Sequence, residues 1–231
     1  MKKLLPIVLM LITAARLSAQ PAYALGDLMF NVNVGGPQIT PALIKTGIKI
    51  WYATKWASND YNIEVKNSGV LNAKAEYAVH EDLGLGFASS YWNMGVNVDH
   101  VYGKNAQGQE MLDHYRYTMS ALAIGIRGNY HFLTDDERKV IDPYYGITLG
   151  LTRYNYDVGF TSDDATRQLP IDTYQWRSGI LTYISTTFGL RVYPVKFLAF
   201  NFEAGYDRGA FFFGGLVFKI HTKAPRFLRD R

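Results

Sequence analysis

Histidine is the residue type in this chain best suited to acid–base chemistry or metal binding, and cysteine is absent. The histidines are His80, His100, His114, His131 and His221. None has the H-x-x-x-H or H-E-x-x-H spacing of metal sites, and none is followed two residues later by serine. His100 and His114 flank one polar connection and could meet at a metal, although solvated loop histidines fit that pattern better. We therefore expect no enzyme, no metal and no cofactor.

Charged residues recur at a second kind of position, inside segments that alternate strictly between apolar and polar side chains. Each lies on the parity opposite to the aromatic residues. They are Lys74, Glu76, Arg127, Arg191, Glu203 and Lys219, with His131 on the same parity. A charge facing lipid costs about 2–4 kcal/mol at the bilayer midplane, so in a membrane these residues would point inward. We predict that they form a structural charge network that fills a narrow lumen.

The alternation has the period of β-strands, because successive strand side chains point to opposite faces. The predicted strands are residues 27–35, 70–79, 83–98, 115–132, 143–157, 175–193, 197–207 and 210–220. Gly, Ala, Asn and Thr accompany the charges, whereas Phe, Tyr, Leu and Ile occupy the other face. The last two strands form a hairpin that must close against the first.

The connections differ in length on the two sides of these strands. Residues 80–82, 134–142 and 194–196 form compact turns, whereas residues 36–69, 99–114 and 158–174 are longer and polar. Short turns on one side and long loops on the other are typical of outer-membrane barrels. The sequence therefore predicts an all-β, eight-stranded antiparallel up-and-down transmembrane β-barrel. A ten-stranded barrel is the alternative, with residues 44–52 pairing with residues 61–65.

Both ends of the chain differ from the body. Residues 1–24 have the organisation of an export signal, with cleavage predicted after Ala19 or, in better agreement with the small-residue rule, after Ala24. Residues 25–220 would form the barrel, and residues 221–231 a basic periplasmic tail. The net charge of +4 comes from the two ends. The body is slightly acidic, so nucleic acid is not an expected partner.

One segment combines aromatic and basic residues, which suits contact with a surface. Its members of interest are Lys45, Lys49, Trp51, Trp56 and Lys66. They could contact lipopolysaccharide phosphates, a surface glycan or a protein partner. An interfacial girdle, in which Trp lies at headgroup level and Lys snorkels, fits the composition better.

Several short motifs resemble a known family. They are Glu76-Tyr77, Leu83-Gly84-Leu85-Gly86, Gly-Asn-Tyr-His-Phe at 128–132, Asp-Pro-Tyr-Tyr-Gly-Ile-Thr-Leu-Gly at 142–150, Glu-Ala-Gly-Tyr at 203–206 and the end of the last strand at 214–220. They are similar to the small outer-membrane β-barrel family of the Bacteroidetes type. The resemblance implies an OmpA- or OmpX-like barrel in a Gram-negative outer membrane, with both termini in the periplasm. The basic tail departs from that family, whose chains often stop at the last strand.

Together these observations predict an outer-membrane protein with a structural or surface-interaction role and a lumen filled by side chains. Outer-membrane lipid and lipopolysaccharide would be its surroundings, with a surface protein or glycan as a further partner. A small porin-like channel for ions or small solutes is the first alternative, and it requires the lumen network to part. A membrane-embedded enzyme is the second alternative, and no residues support it.

Overall fold

A computed structural model of the chain describes residues 21–38, 42–43, 45–47, 49–50, 61–132, 140–164, 166–167, 179–207 and 210–222. Within them, eight strands form one closed antiparallel barrel. The strands are β1 (Asp27–Gln38), β2 (Tyr61–Ala78), β3 (Leu83–Lys104), β4 (Glu110–His131), β5 (Ile141–Ser162), β6 (Gly179–Val195), β7 (Leu198–Asp207) and β8 (Ala210–His221). Each strand pairs with the next, and β8 pairs back to β1.

The predicted eight-stranded up-and-down barrel is confirmed, including closure of the last strand against the first. The ten-stranded alternative is wrong, because β1 pairs directly with β2, where the extra hairpin would have to be inserted. Of residues 44–52, those described are helical and include Lys45 and Lys49. Residues 61–65 pair instead with β3. No helix among the described ranges is both long enough and apolar enough to cross a membrane.

In the half of the barrel nearest the chain termini, outward side chains are apolar and inward ones polar, as the alternation predicts. We call the outward set the apolar belt. It includes Phe30, Leu85, Phe87, Leu122, Ile124, Ile126, Leu149, Leu151, Ile184, Phe188, Phe202 and Phe218, which are all exposed. The inward positions between them hold buried Asn, Thr, Lys, Glu and Arg side chains. This arrangement is the reverse of a water-soluble barrel.

In the other half, which we call the upper wall (residues 61–67, 93–104, 110–120 and 153–162), the two faces exchange character. The outward row above the belt joins Asn93, Ser120 and Asn155 across three paired strands. The inward side chains there, together with those of adjoining residues and of β8, form an apolar cluster. Its buried members are Ile63, Val70, Trp92, Met94, Val96, Val98, Ala121, Ala210 and Phe213. The upper wall is therefore built for water outside and an apolar core inside.

A β-bulge in β2 accommodates this exchange of faces. Asn67 lies opposite Met94 and Val70 lies opposite Trp92, so β2 has one extra residue between these pairs. Gly69 adopts a left-handed backbone (φ 73°), which glycine reaches without steric cost. The Ser68 hydroxyl donates to the Asn93 carbonyl at 3.1 Å and accepts from the Asn93 amide at 3.0 Å, which bridges the interrupted ladder.

Four strands are longer than the alternation predicts, because their extra residues belong to the upper wall. β2 begins at Tyr61, β3 ends at Lys104, β4 begins at Glu110 and β5 ends at Ser162. The predicted long connection 99–114 is therefore wrong, and residues 105–109 form a tight turn. In it, the Asn105 side chain accepts from the Gln107 and Gln109 amides at 3.0 and 2.9 Å. The predicted signal residues 1–20, residues 175–178 and tail residues 223–231 lie outside the described residues.

Candidate functional site

A network of charged side chains lies inside the belt half of the barrel. We define this lumen network as Lys74, Glu76, Arg127, His131, Asp142, Arg191 and Glu203, each of which is buried. Its members come from β2, β4, β5, β6 and β7. Their side chains converge because all of them occupy inward positions on these strands. Eight strands enclose a lumen that is only just wide enough to be filled by side chains. The network occupies that space.

Glu203 on β7 organises the layer farther from the termini. Its carboxylate forms ion pairs with the Lys74 ammonium and with Arg127 Nη2, the latter at 3.3 Å. The Tyr144 hydroxyl donates to the same carboxylate at 2.6 Å. Arg127 also donates to the Thr187 hydroxyl at 2.8 Å. One carboxylate on β7 therefore pairs with two buried cations, which come from β2 and β4.

Arg191 on β6 organises the layer nearer the termini. Its Nη2 donates to Glu76 Oε2 at 2.5 Å, and its Nη1 to Asp142 Oδ2 at 3.3 Å. His131 lies between the same two carboxylates, with Nδ1 2.6 Å from Asp142 and Nε2 2.7 Å from Glu76. Two ionised carboxylates only accept hydrogen bonds, so the arrangement suits a doubly protonated imidazole ring.

Two uncharged side chains connect the layers. Asn129 Oδ1 accepts from Arg127 Nε at 2.7 Å, and Asn129 Nδ2 donates to Glu76 at 2.5 Å. The Arg191 guanidinium lies 4.3 Å from the centroid of the Tyr144 ring, a distance at which a cation and an aromatic face attract. The two layers therefore form one continuous hydrogen-bonded structure.

Glycine on the inward parity makes room for these long side chains. A Cβ on Gly189 would overlap the Tyr144 ring, and one on Gly146 would overlap the Arg127 guanidinium. Neither glycine has a backbone conformation that requires it, so the reason for glycine here is space inside the lumen. Small residues beside large charged ones are therefore part of how this lumen is filled.

Lys219 lies nearer the chain termini than the lumen network, in which the sequence pattern places it. Parity makes Glu203 a candidate partner of Lys219, but the Lys219 ammonium lies 3.6 Å from Asp27 Oδ2 and donates to the Pro21 carbonyl at 2.7 Å. Parity predicts which face a side chain occupies but not its height along the barrel axis. Lys219 therefore belongs to a separate cluster below the lumen network.

Sequence reasoning missed several members of the site. The alternation places Asp142 in the compact turn 134–142, and it gives no partner role to Tyr144 or Asn129. Asp142 and Tyr144 share the inward parity of Gly146 and Thr148, so continuing the alternation by two inward positions toward the start of β5 predicts them. Asp27, at the first residue of β1, could have been found in the same way.

The aromatic–basic segment does not form one site in the described residues. Lys45 and Lys49 are exposed and helical, whereas Trp51 and Trp56 lie outside the described residues. Lys66 is not in a loop, which corrects the prediction. It lies on β2 in the upper wall and forms an exposed ion pair with Glu64 at 3.2 Å.

The histidines flanking residues 105–109 do not meet. His100 lies opposite Asp113, whereas His114 lies opposite Asp99, so the two rings belong to opposite faces of the sheet. Hydrogen bonding to Asp99, at 2.7 Å from His114 Nδ1, raises the pKa of His114 above its ordinary value of 6.5, while partial desolvation acts against it. No group of three or more potential metal-ligating side chains occurs in the described part of the chain.

Comparison with solved structures finds the same architecture elsewhere. The outer membrane protein OprG of Pseudomonas aeruginosa superimposes with a TM-score of 0.52 at 11% identity, covering 89% of this chain and 100% of OprG. The likeness is one of fold. The N-terminal β-barrel domain of Pseudomonas aeruginosa OprF gives 0.39 at 12% identity over 86% of this chain and 100% of that domain. Ail of Yersinia pestis, solved with the heparin analogue sucrose octasulfate, gives 0.40 at 10% identity over 85% of this chain and 100% of Ail.

Neither a family model nor a curated protein matches the sequence. These structural neighbours are small barrels from bacterial outer membranes. At such low identity, the shared feature is the path of the backbone rather than any set of functional residues. The lumen network must therefore be interpreted from its own geometry.

Proposed function

We propose that this chain is an outer-membrane barrel with a sealed lumen and a structural or surface-interaction role, of the Bacteroidetes-type family that its motifs resemble. The lumen network is the observation that carries this proposal. Removing one partner of a buried ion pair costs about 3–5 kcal/mol, since the other charge is left without compensation. A conducting path through the belt half would need several of these pairs to separate. We therefore favour a sealed barrel over a channel.

The apolar belt supports a membrane location. Large side chains such as Phe87 and Phe188 are 68% and 63% exposed, although the inner face of the barrel buries Lys, Glu and Arg side chains. Lipid is the surrounding that satisfies both faces, and a closed barrel leaves no unpaired strand edge in it. The termini and the compact turns lie at one end, which supports a periplasmic orientation of that end.

The upper wall supports a role at the cell surface. β3, β4 and β5 each contain 22 residues, about twice the 9–11 residues of a tilted membrane crossing. Their outward face above the belt is polar, which suits water and contact with lipopolysaccharide headgroups, a glycan or a protein. We propose these as partners, with no enzymatic activity and no nucleic acid.

Planar-bilayer recording of the refolded protein tests the sealed lumen. We expect no steady unitary openings from the native chain. An Arg127→Ser variant probes the network, and Arg153→Ser, on the outward face at the lower edge of the upper wall, is the matched control. Steady native openings that change in Arg127→Ser but not in the control would overturn the proposal in favour of a channel.

Cell fractionation tests the location independently. We expect the protein in the outer-membrane fraction, with a gel mobility that changes on heating because the folded barrel resists detergent. Recovery in another fraction would overturn the membrane assignment whatever the bilayer recordings show.

A further inference from the structure

The segment that precedes β1 enters the end of the barrel nearest the termini. Ala22 and Tyr23 are 5% and 4% exposed. The Tyr23 ring stacks on His131 with centroids 3.6 Å apart and planes inclined by 17°. Since His131 belongs to the lumen network, the segment covers that network on the side of the termini.

The segment is also held by its backbone. The Lys219 ammonium donates to the Pro21 and Ala22 carbonyls at 2.7 and 3.2 Å. The Ala24 amide donates to Asp27 Oδ2 at 2.9 Å. A buried lysine and a buried aspartate of the barrel wall thus form hydrogen bonds with the backbone of residues 21–24.

An apolar cluster completes the contact. It joins the segment to residues from β1, β2, β6, β7 and β8. Its members are Ala22, Tyr23, Met29, Ala78, Tyr193, Ala199 and Val217. Without Tyr23 and Ala22, this cluster and one face of His131 would be open to water, and Lys219 would lose two hydrogen-bond acceptors. Exposing apolar surface and removing hydrogen-bond partners are both costly.

We propose that residues 21–26 are retained in the mature protein as a lumen cap, and that the export signal is removed after Ala19 rather than after Ala24. The reaction is hydrolysis of the Ala19–Gln20 peptide bond by a signal peptidase that accepts a small residue before the cut. Water supplies the hydroxyl of the new Ala19 carboxyl group and a proton to the Gln20 amine. The cleavage part of this proposal rests on the proposed function, because a signal peptide is removed only from an exported protein. The contacts between the cap and the barrel do not depend on export.

Mass spectrometry of the protein purified from cells tests the cleavage. We expect an N-terminal peptide that starts at Gln20, with its amine free or cyclised by loss of ammonia. A peptide that starts at Leu25 would overturn the proposal. Absence from the outer membrane would count against the proposed function alone, because the cap can still be tested in refolded protein.

A thiol-accessibility experiment tests the cap itself, and the absence of native cysteine makes a single introduced thiol unambiguous. Ala199→Cys places the thiol under the cap, and Ala121→Cys places a matched thiol in the apolar cluster of the upper wall. We compare the refolded chain 20–231 with the chain 25–231. Loss of the cap should raise the labelling rate of Ala199→Cys by about tenfold or more, as expected for local opening of a protected site, and should leave Ala121→Cys unchanged.

A substitution covers the case in which chain 25–231 does not refold. Tyr23→Ala in chain 20–231 should raise labelling of Ala199→Cys, whereas Tyr91→Ala, on the outward face of β3, should not. Equal labelling in the Tyr23→Ala and Tyr91→Ala backgrounds would show that the segment does not cover the lumen, and would overturn the cap.

Discussion

Replacing Glu203 with glutamine tests whether the lumen network stabilises the barrel. The substitution keeps the shape of the side chain and removes its charge. It leaves Lys74 and Arg127 in the lumen with side-chain exposures of 4% and 3%. Removing one partner of a buried pair costs about 3–5 kcal/mol. The Tyr144 bond to a charged acceptor also weakens, but such effects do not simply add. We therefore expect Glu203→Gln to lower the free energy of unfolding by about 3–5 kcal/mol.

Urea unfolding of the protein refolded into lipid vesicles measures this change. Tryptophan fluorescence reports the transition, and comparison of midpoint and slope separates stability from changes in exposed surface. Glu64→Gln is the matched control, because its ion pair with Lys66 is exposed and worth about 0–1 kcal/mol. The double variant Glu203→Gln with Lys74→Met should lose less than the two single variants together, because the second change removes a charge that the first left unpaired.

Two results would refute the reasoning. One is a Glu203→Gln variant no less stable than Glu64→Gln. The other is strict additivity of Glu203→Gln and Lys74→Met, since residues in one ion pair should couple by about 0.5–3 kcal/mol. Either would mean that the lumen charges are solvated in the folded barrel, and the sealed-lumen proposal would lose its main support.

Two further predictions concern the outer surface. Leu149→Arg in the apolar belt should lower the free energy of unfolding of the vesicle-inserted protein by about 2–4 kcal/mol in urea titrations. Asn155→Arg, which is outward on the same strand but in the upper wall, should change this free energy little. Equal effects would contradict the placement of the belt. The hydrogen bond to Asp99 raises the pKa of His114. The stability that this contact contributes is therefore fully present below pH 6.5 and is lost as the pH rises through the raised pKa. NMR titration should show the His114 pKa falling in Asp99→Asn, and an unchanged titration would argue against the contact.

The belt half of the barrel could be predicted from the sequence because one periodicity carries all the information there. Phe200 and Phe202 alternate with Asn201 and Glu203, and every neighbouring strand repeats the pattern. Strand order follows from short connections, and ring closure follows from the need to pair the last strand. A chain with such strict alternation has few other ways to arrange its faces.

The upper wall cannot be predicted from the belt pattern, for a physical reason. Residues 61–67 are polar on the outward face, and the bulge at Gly69 changes which parity points inward. On β2 the reversal of the two faces and the change of phase cancel in the sequence, so residues 61–65 keep the odd apolar parity of the belt. The polar run Asn67-Ser68-Gly69 interrupts the alternation between them and indicates a turn. On β3 and β4 no bulge separates the belt from the upper wall, so the apolar side chains move to the other parity, and this shift makes the end of β3 and the start of β4 resemble a loop.

The partners within the lumen could not be predicted because pairing depends on the stagger of the strands. Glu203 and Lys219 share a face, yet they lie at different heights, and each finds another partner. Parity reduces the candidates to those inside the lumen. The register between strands, which the sequence pattern does not state, then decides which side chains meet.

The bulge at Gly69 has a consequence for how this strand can change in length. Removing one residue from 67–70 would restore a regular ladder, but it would turn Asn62, Glu64 and Lys66 inward and expose Ile63 and Val65. Two residues could be gained or lost above the bulge without changing either face, because the side-chain period is two. In relatives of this protein, length differences in this part of β2 should therefore come in even numbers, unless the bulge itself is gained or lost.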